Sequence, residues 1–516
     1  MSSIDQVVAQ SGLCLATDPT KGRRAVATRS FRRGDPLLAV RPLVALPLRD
    51  HESPDEQDPK PQADPESKPQ AEPELPDDSR CLHCFRQLPR RRARCSQCHA
   101  ALYCSAACLN AHWRARHYAE CQRTSARAIA AAARRLKPAF RAHLRMAAAL
   151  GAALHPRARQ PPALRVQLEA WHRLVDHHAE HPAHVRRQYE EIARLTLQHS
   201  EHIGPLAYTQ SDDVVRALCR AGCNNFAALE PHAPRTSGVL CSPLVSLLLN
   251  HSCAPNAAFV FADGLQTVRA LADIAPGDEV CLAYVDPLTP RRKRREHLAA
   301  VYFFDCACAK CAGPDSCAAQ IDALMDREPG SQMPALLPTD YALPPQIEPW
   351  ALRAVRLLID HTLTDSREPG PADALLDSVL PVSARDFSFT AYTHWLECQD
   401  ECLERMRDGP ADARVSVWAC VAASYVLAFY VASYPPYYAL VGFQCLELAK
   451  LVSNTLLRHG DELGGCAGAL EITAARVREL ARCALSVLGV SAVPAAEPLD
   501  GLSIEAQVAL LLEQHA

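Results

Sequence analysis

The sequence has no excess of charge of either sign and no apolar leader at its start. Its formal net charge is -3 over 516 residues, which gives no overall attraction to nucleic acid or to an anionic membrane. The first ten residues, MSSIDQVVAQ, lack a basic segment followed by an apolar run, so they do not indicate a secretory signal. With 23 cysteines and no sign of export, we expect reduced thiols in the cytoplasm, the nucleus or both.

Apolar runs long enough to cross a membrane are also scarce. The best candidate, 415–434, contains Ser416, Ser424 and Ser433 and ends at two prolines. A buried helix in an all-helical domain accounts for its Ala-rich composition better than a membrane span does. We therefore expect a soluble monomer without membrane insertion, and its length predicts roughly two to four compact units.

The segment 51–78 lacks the apolar residues that a core requires. It contains seven prolines and ten acidic residues against two lysines, with the near-repeat DPKPQADPESKPQAEPE. This composition predicts disorder. We interpret the segment as an acidic spacer, and a partner-binding segment is the alternative.

Cysteines are abundant and, between residues 81 and 121, they have metal-binding spacing. The pattern C-x2-C-x10-C-x2-C-x5-C-x3-C-x8-H-x3-C comprises Cys81, Cys84, Cys95, Cys98, Cys104, Cys108, His117 and Cys121. Structural zinc takes four sulfur or nitrogen ligands, and each of these residues has a close neighbour to share an ion with. The pattern predicts two zinc sites, since scattered buried thiols would not fall into four spaced pairs. In so short a module, metal binding supplies the folding free energy.

This spacing, with Tyr103 before the third pair and Trp113 before the histidine, resembles the MYND zinc finger. The resemblance implies interleaved ligands, with His112 in neither set. One ion would take Cys81, Cys84, Cys104 and Cys108, and the other Cys95, Cys98, His117 and Cys121. The resemblance also implies proline-rich peptides as partners. The arginines at 90–92 and 94 are interpreted either as a positive face for nucleic acid or acidic protein, or as a solvated loop.

A second group of motifs begins at Asn250. The sequence NHSCAPN occupies 250–256, GDEV occupies 277–280 and leads to Tyr284, and cysteines follow at 306, 308 and 311. In this order they resemble the SET domain of protein lysine methyltransferases and its cysteine-rich post-SET segment. Together with the inserted finger they resemble the SET and MYND domain family over nearly the whole chain.

The family resemblance implies an α+β fold. A β-rich SET domain would carry the inserted finger and a helical insert, followed by a post-SET zinc site and an all-helical, tetratricopeptide-like domain. The expected parts are the N-terminal part of the SET domain at 1–50, the spacer at 51–78, the finger at 79–121, the helical insert at 122–200, the SET core at 201–290, the post-SET segment at 291–314 and the C-terminal domain at 315–516.

The resemblance also implies a function, that of an S-adenosylmethionine-dependent protein-lysine N-methyltransferase with histone or non-histone substrates. Tyr284 is the expected catalytic residue, because its hydroxyl can both donate and accept a hydrogen bond beside the amine. A strand tyrosine packed on a core is the alternative. The implied cofactor-binding residues are Arg23, Asn224, Asn250, His251 and Phe304. Phe226 and Tyr302 are expected to line the lysine channel.

A third zinc ion is implied by the post-SET segment. Cys306, Cys308 and Cys311 provide three ligands, and a closed structural site needs a fourth. The family resemblance assigns this role to Cys253. The whole chain is therefore expected to bind three zinc ions.

One position departs from the family pattern. The cofactor loop of the family reads K-G-x-G, whereas Arg24 follows Lys21-Gly22-Arg23 here. The alternative function is therefore a catalytically inactive adaptor or transcriptional corepressor that binds proline-rich peptides. The retention of Asn250, His251, Tyr284 and the post-SET cysteines favours the enzyme. The basic run 291–295 is interpreted either as a nuclear import signal or as a solvated helix.

Overall fold

The computed structural model describes the chain in segments. They are 3–19, 22–48, 80–121, 138–155, 162–198, 207–230, 233–313, 316–330, 347–366, 371–408, 412–463, 466–491 and 503–515. The acidic spacer predicted at 51–78 lies outside the described residues, as do Lys21 and the first part of the predicted helical insert.

The strands lie mainly in the N-terminal half of the chain. They are β1 Leu13–Asp18, β2 Gly22–Ala27, β3 Pro36–Val40, β4 Val44–Pro47, β5 Ala93–Arg94, β6 Leu102–Tyr103, β7 Asn225–Glu230, β8 Ala233–Cys241, β9 Asn250–His251, β10 Ala257–Ala262, β11 Leu265–Ala270 and β12 Cys281–Leu282. The described residues from 316 onward form helices without strands, which confirms the expected α+β fold with a helical C-terminal region.

The helices are distributed along the whole chain. They are α1 Ser3–Gln10, α2 Ala106–His112, α3 Tyr118–Cys121, α4 Pro138–Leu154, α5 Pro162–Arg173, α6 Ala183–Gln198, α7 Ser211–Gly222, α8 Pro243–Leu248, α9 Arg291–Val301, α10 Ala309–Ala312, α11 Cys317–Met325, α12 Pro349–Leu363, α13 Pro371–Val379, α14 Phe389–Asp408, α15 Ala413–Ser433, α16 Ala439–Leu463, α17 Cys466–Ala469, α18 Ala474–Ser491 and α19 Ile504–Gln514. A π-helical turn, Trp113–His117, joins α2 to α3.

The chain folds into two compact units, each of which is discontinuous in sequence. The first comprises Met1–Arg23, Leu38–Leu249 and Val260–Thr267. The second comprises Arg24–Leu37, Asn250–Phe259 and Val268–Ala516. The segment boundaries expected from the sequence remain a prediction.

In the first unit, β8 lies between β4 and β7 in an antiparallel sheet, so that Val44 and Asn225 both pair with Cys241. The finger packs closely on this sheet. A Cβ at Gly238 would collide with the ring of Phe85 and would lie 2.6 Å from the main-chain oxygen of Leu46, so only glycine fits there.

Helix α7 leads into the predicted Asn224, which lies just before strand β7. It begins where it does because the Asp213 carboxylate accepts the main-chain N–H of Thr209 at 2.8 Å and of Gln210 at 3.0 Å. Its apolar side chains, Val214 and Leu218 among them, are buried against α4 and α6. The helix ends at Gly222, and β7 follows.

The second unit contains the C-terminal helices around one apolar core. Trp350 packs edge-on against Phe387 and Phe429, with ring centres 5.0 and 5.2 Å apart. Among the described residues, two helices, α15 and α16, are long and apolar enough to cross a membrane, but 83% and 67% of their most apolar windows are buried. Because a buried core helix meets the same criteria, this is weak evidence for a membrane span.

The second unit also holds the motif residues from Asn250 onward. Strand β9 pairs in parallel with β12, which sets Asn250 opposite Cys281 and His251 opposite Leu282. The chain reaches β12 through a turn at Gly277, whose φ of 97° favours glycine. Main-chain hydrogen bonds between this turn and Ala27 measure 2.8 and 2.9 Å. The turn thus directs the chain toward Tyr284.

Candidate functional site

The finger brings its eight predicted ligands into two clusters, each with ligand atoms within 4.8 Å of one another. In the first, the Sγ atoms of Cys84 and Cys104 are 3.6 Å apart, and those of Cys104 and Cys108 are 3.4 Å apart. Cys81 completes this set. Ser105 begins α2 by accepting the N–H of Cys108, which fixes the second pair on one helical turn.

The second cluster joins Cys95, Cys98, His117 and Cys121. The Sγ of Cys98 lies 3.5 Å from Nε2 of His117, so this nitrogen is the one directed at the cluster. His112 belongs to neither cluster, as expected. Its Nδ1 lies 2.9 Å from the Tyr103 hydroxyl, and its ring stacks on His117 at 5.6 Å.

The third cluster consists of Cys253 and the three post-SET cysteines, Cys306, Cys308 and Cys311. The Sγ of Cys253 is 4.0 Å from that of Cys306 and 3.5 Å from that of Cys311. Cys253 lies two residues after the end of β9 and reaches a segment more than 50 residues further along the chain.

All three clusters fit zinc. Ligands at about 2.3 Å from a tetrahedral ion are about 3.8 Å from one another, which matches the measured separations. Hydrogen bonding from Cys108 raises the pKa of Cys84 far above its usual value, and Cys306 does the same for Cys253. Thiols crowded in this way ionise together only around a cation, and Zn²⁺ supplies that charge.

Metal content tests the three clusters directly. We expect three zinc ions per chain from the twelve ligands, measured by inductively coupled plasma mass spectrometry after dialysis. Cys253→Ser should lower the value by one ion, because it removes a ligand from the third cluster. Cys317→Ser, at a half-buried cysteine outside the clusters, is the matched control and should retain all three. A wild-type value near two would contradict the third site.

His251 lies between the third zinc cluster and Tyr284. Its Nε2 is 3.1 Å from the Sγ of Cys253, and its Nδ1 accepts the main-chain N–H of Tyr284 at 3.0 Å. Burial lowers the pKa of His251 to about 4, so the ring is neutral near pH 7. Both ring nitrogens are therefore engaged inside the protein.

Tyr284 belongs to a cluster of half-buried aromatic rings. Its ring centre lies 5.4 Å from that of His251 and 5.0 Å from that of Tyr302, and Phe304 is 6.0 Å from His251. Phe303 has a φ of 60°, in the left-handed region that this residue type rarely adopts. Strained backbone of this kind is concentrated at functional sites.

The two asparagines of the NHSCAPN motif hold the segment that leads to Tyr284. Nδ2 of Asn250 donates to Oε1 of Glu279 at 2.9 Å. Nδ2 of Asn256 donates to the main-chain oxygen of Glu279, and its Oδ1 accepts the N–H of Cys281, both at 2.9 Å. The motif therefore orders the neighbouring strand β12 as well as β9.

Three predicted site residues lie in the first unit. Arg23 is exposed, and its Nη2 donates to the main-chain oxygen of Arg173 at 3.4 Å. Asn224 donates to the main-chain oxygen of Arg220 at 2.8 Å, while Phe226 is buried in β7. The second unit contains Asn250, His251, Tyr284, Tyr302 and Phe304. The roles of all these residues in cofactor or substrate binding remain predictions.

The structure adds Arg294 to the site. Its Nε is 3.2 Å from the Sγ of Cys253, and its two Nη atoms donate to the two carboxylate oxygens of Asp322 at 2.7 and 2.6 Å. The two side chains are only 0% and 2% exposed. Burial is the largest single influence and lowers the pKa of Arg294, but hydrogen bonding and charge attraction from Asp322 and Cys253 together raise this pKa above its ordinary value.

The rest of the basic run at 291–295 is also used within the fold. Arg291 and Arg295 approach Asp326 and Asp305, and Lys293 lies 5.1 Å from the centre of the Phe389 ring. The sequence interpretation missed the role of Arg294. A usable signal existed, since Arg294 lies four residues before Leu298, the apolar side chain buried on the same face of α9.

Lys310 was also missed. It lies between two zinc ligands and is 4% exposed. Its Nζ donates to the main-chain oxygens of Pro287 at 2.8 Å and of Ser433, at the end of α15, at 3.1 Å. Burial lowers the pKa of Lys310, and the two carbonyls compensate part of the cost of burying the ammonium. The zinc-binding segment is thereby anchored to a C-terminal helix.

Comparison with known proteins supports these assignments. A family model for the MYND finger matches residues 81–121. "N-lysine methyltransferase SMYD2-B" of Danio rerio is 30% identical over 237 residues, which cover 45% of this chain and 50% of that protein. "Histone-lysine N-methyltransferase ASHR1" of Arabidopsis thaliana is 23% identical over 312 residues, or 60% of this chain and 57% of that protein. "N-lysine methyltransferase SMYD2" of Homo sapiens is 27% identical over 242 residues, which cover 47% of this chain and 52% of that protein.

The chain spans about half the length of the curated relatives it matches. A solved structure described as the SET domain of LSMT bound to lysine and AdoHcy aligns with 89% of this chain and 92% of that chain, at 12% identity and a TM-score of 0.30.

The chain is therefore a zinc-finger protein with a third, post-SET type of cysteine cluster in a mixed α+β fold. Its motifs from Asn250 to Cys311 lie together in the second unit. Residues 81–121 match the MYND finger family, and about half of the chain is similar to proteins named as lysine methyltransferases.

Proposed function

We propose that the protein is an S-adenosylmethionine-dependent protein-lysine N-methyltransferase. The observation that carries the proposal is that His251 joins Tyr284 to the third cysteine cluster through direct hydrogen bonds and a ring contact. The relatives named as N-lysine methyltransferases support the same activity.

The residues present fit such a cofactor. Half-buried rings of Tyr284, Tyr302 and Phe304 offer aromatic faces, which attract a sulfonium cation. When bound, S-adenosylmethionine supplies an activated methyl group. Asn250 and Phe304, both in the second unit, would contact it.

The aromatic side chains also fit the needs of the lysine substrate. A lysine must arrive neutral to attack, and its ordinary pKa is about 10.4. Desolvation between aromatic rings lowers that pKa, while the Tyr284 hydroxyl can accept a hydrogen bond from the amine and hold its lone pair in line. The amine lone pair would form the new bond to the methyl carbon as the carbon–sulfur bond breaks, the neutral thioether would leave, and the resulting ammonium would release a proton to solvent.

Calorimetric titration with S-adenosylmethionine tests the proposal before a substrate is known. Zinc-replete protein should bind at one site, and Asn250→Ala should weaken binding by about tenfold through the loss of one hydrogen-bonding group. Asn110→Ala, at an exposed asparagine of the finger, is the matched control and should bind as the wild type does. Absence of binding to zinc-replete wild-type protein would favour the inactive adaptor.

We also propose that the MYND finger recruits protein partners with proline-rich segments. The match of residues 81–121 to the finger family supports a protein-binding role. Arg90, Arg91 and Arg92 are exposed beside it, and an acidic protein or nucleic acid is the alternative partner for that face.

A further inference from the structure

The hydrogen bonds of His251 define its tautomer. A main-chain N–H can only donate, so Nδ1, which faces the N–H of Tyr284, is the unprotonated nitrogen. The ring proton of the neutral imidazole then resides on Nε2, which points at the Sγ of Cys253. One side chain therefore donates to a zinc ligand and accepts from the main chain of the candidate catalytic residue.

We propose that His251 is a positioning residue that makes the placement of Tyr284 depend on zinc in the third cluster. This inference rests on the proposed function for its catalytic consequence, because it specifies how Tyr284 is held for methyl transfer. It assigns to the imidazole a role inside the protein, and the contribution of residue 251 to cofactor binding would then come from its main chain.

The position of the Cys253 sulfur supplies the physical link. A zinc ion would hold this sulfur beside the other three cysteines and in reach of Nε2 of His251. Without zinc the four side chains are not held around one ion, so the imidazole loses the fixed partner that sets its orientation. The N–H of Tyr284 then loses a fixed partner.

Arg294 separates this link from the general stability of the cluster. Its Nε donates to the same sulfur, but its other contacts lead to Asp322 in α11. The sulfur of Cys253 thus accepts from His251, which also contacts Tyr284, and from Arg294, which also contacts α11. Changing His251 should affect Tyr284 and leave the contact between Arg294 and Asp322 in place.

Hydrogen exchange of the wild-type protein provides the first test, and it requires no substrate. Stepwise removal of zinc with a chelator should accelerate exchange at the Tyr284 amide by roughly tenfold, as expected for a lost hydrogen bond to a fixed partner. A peptide from α6, in the other unit and away from the finger ligands, is the control and should not change at the same step. Unchanged exchange at Tyr284 after loss of the third zinc would overturn the inference.

Two substitutions separate the two ends of the link. In His251→Asn, Oδ1 can replace Nδ1 and accept the main-chain N–H of Tyr284. The shorter side chain has no donor that reaches the sulfur of Cys253. In His251→Gln, the amide nitrogen can replace Nε2 as the donor to Cys253, while the acceptor for Tyr284 is lost. We expect the Asn variant to lose zinc from the third cluster about 10- to 100-fold more readily. The Gln variant should retain zinc and show faster exchange at Tyr284.

The outcomes distinguish this inference from the proposed function. Equal zinc release and equal exchange in the two variants would overturn the inference, even if the protein methylates lysine. Zinc loss in the Asn variant, together with retained zinc and faster exchange at Tyr284 in the Gln variant, would support the zinc-to-Tyr284 link even if calorimetry shows no cofactor binding. In an active enzyme, the Gln variant should lower kcat while leaving zinc content unchanged.

Discussion

Asp322→Ala should destabilise the second unit by about 3–5 kcal/mol, the usual cost of breaking a buried ion pair from one side. Arg294 would keep its charge in a site where both partners are almost fully buried, with only sulfur and carbonyl groups left to accept its protons. Because the chain has two units, a single unfolding free energy is not well defined for it. Native-state hydrogen exchange of α11 measures the loss locally.

Asp326→Ala is the matched control for this substitution. Asp326 lies four residues from Asp322 and meets Arg291 at 3.8 Å, but both partners are partly exposed, at 26% and 31%. Exposed ion pairs contribute about 0–1 kcal/mol to stability, so the stability of α11 should change little in this variant. Equal losses of α11 stability in the two variants would show that the ion pair between Arg294 and Asp322 does not hold the zinc cluster to α11.

Tyr284→Phe should lower methyl transfer by about 10²- to 10³-fold, the effect of removing one well-placed hydrogen-bonding group from a transition state. The ring and the contacts with His251 and Tyr302 remain, so zinc content and cofactor affinity should stay at wild-type values. The first measurement is transfer of a labelled methyl group from S-adenosylmethionine to a protein array. A protein that becomes labelled on the array then serves as the substrate for rate measurements.

Tyr118→Phe provides the control for the loss of a hydroxyl. Tyr118 is 44% exposed on the finger, so its hydroxyl is already solvated and the variant should transfer at the wild-type rate. A Tyr284→Phe variant with full activity would return Tyr284 to the interpretation of a packed strand tyrosine. Failure of the wild type to modify any protein on the array would count against the enzyme itself.

The finger ligands could be predicted because zinc requires nearby pairs, and spacing within a sequence records that requirement. Cys253 could be assigned only through the family resemblance, since no local spacing links it to Cys306. The spacing to Leu298 could have placed Arg294 on the buried face of α9, but it could not identify the ion-pair partner. A run of basic residues is usually solvated, and its partner Asp322 lies in another helix.

His251 shows a different limit of sequence reasoning. The motif identified the residue, but the direction of its two ring nitrogens depends on where Cys253 and the Tyr284 main chain meet in three dimensions. Sequence also could not locate the division between the two units, which separates Asn224 from Asn250. Contacts between residues far apart in the sequence decide both the direction of the His251 ring nitrogens and the division between the units.

The position of Lys310 has a consequence for automethylation. A methyltransferase can act on its own lysines only where an amine reaches solvent with a lone pair available. The Lys310 nitrogen is enclosed and donates to Pro287 and Ser433, so the folded chain would withhold this lysine from the methyl transfer proposed above. Methyl groups found there would report modification before folding or after metal loss.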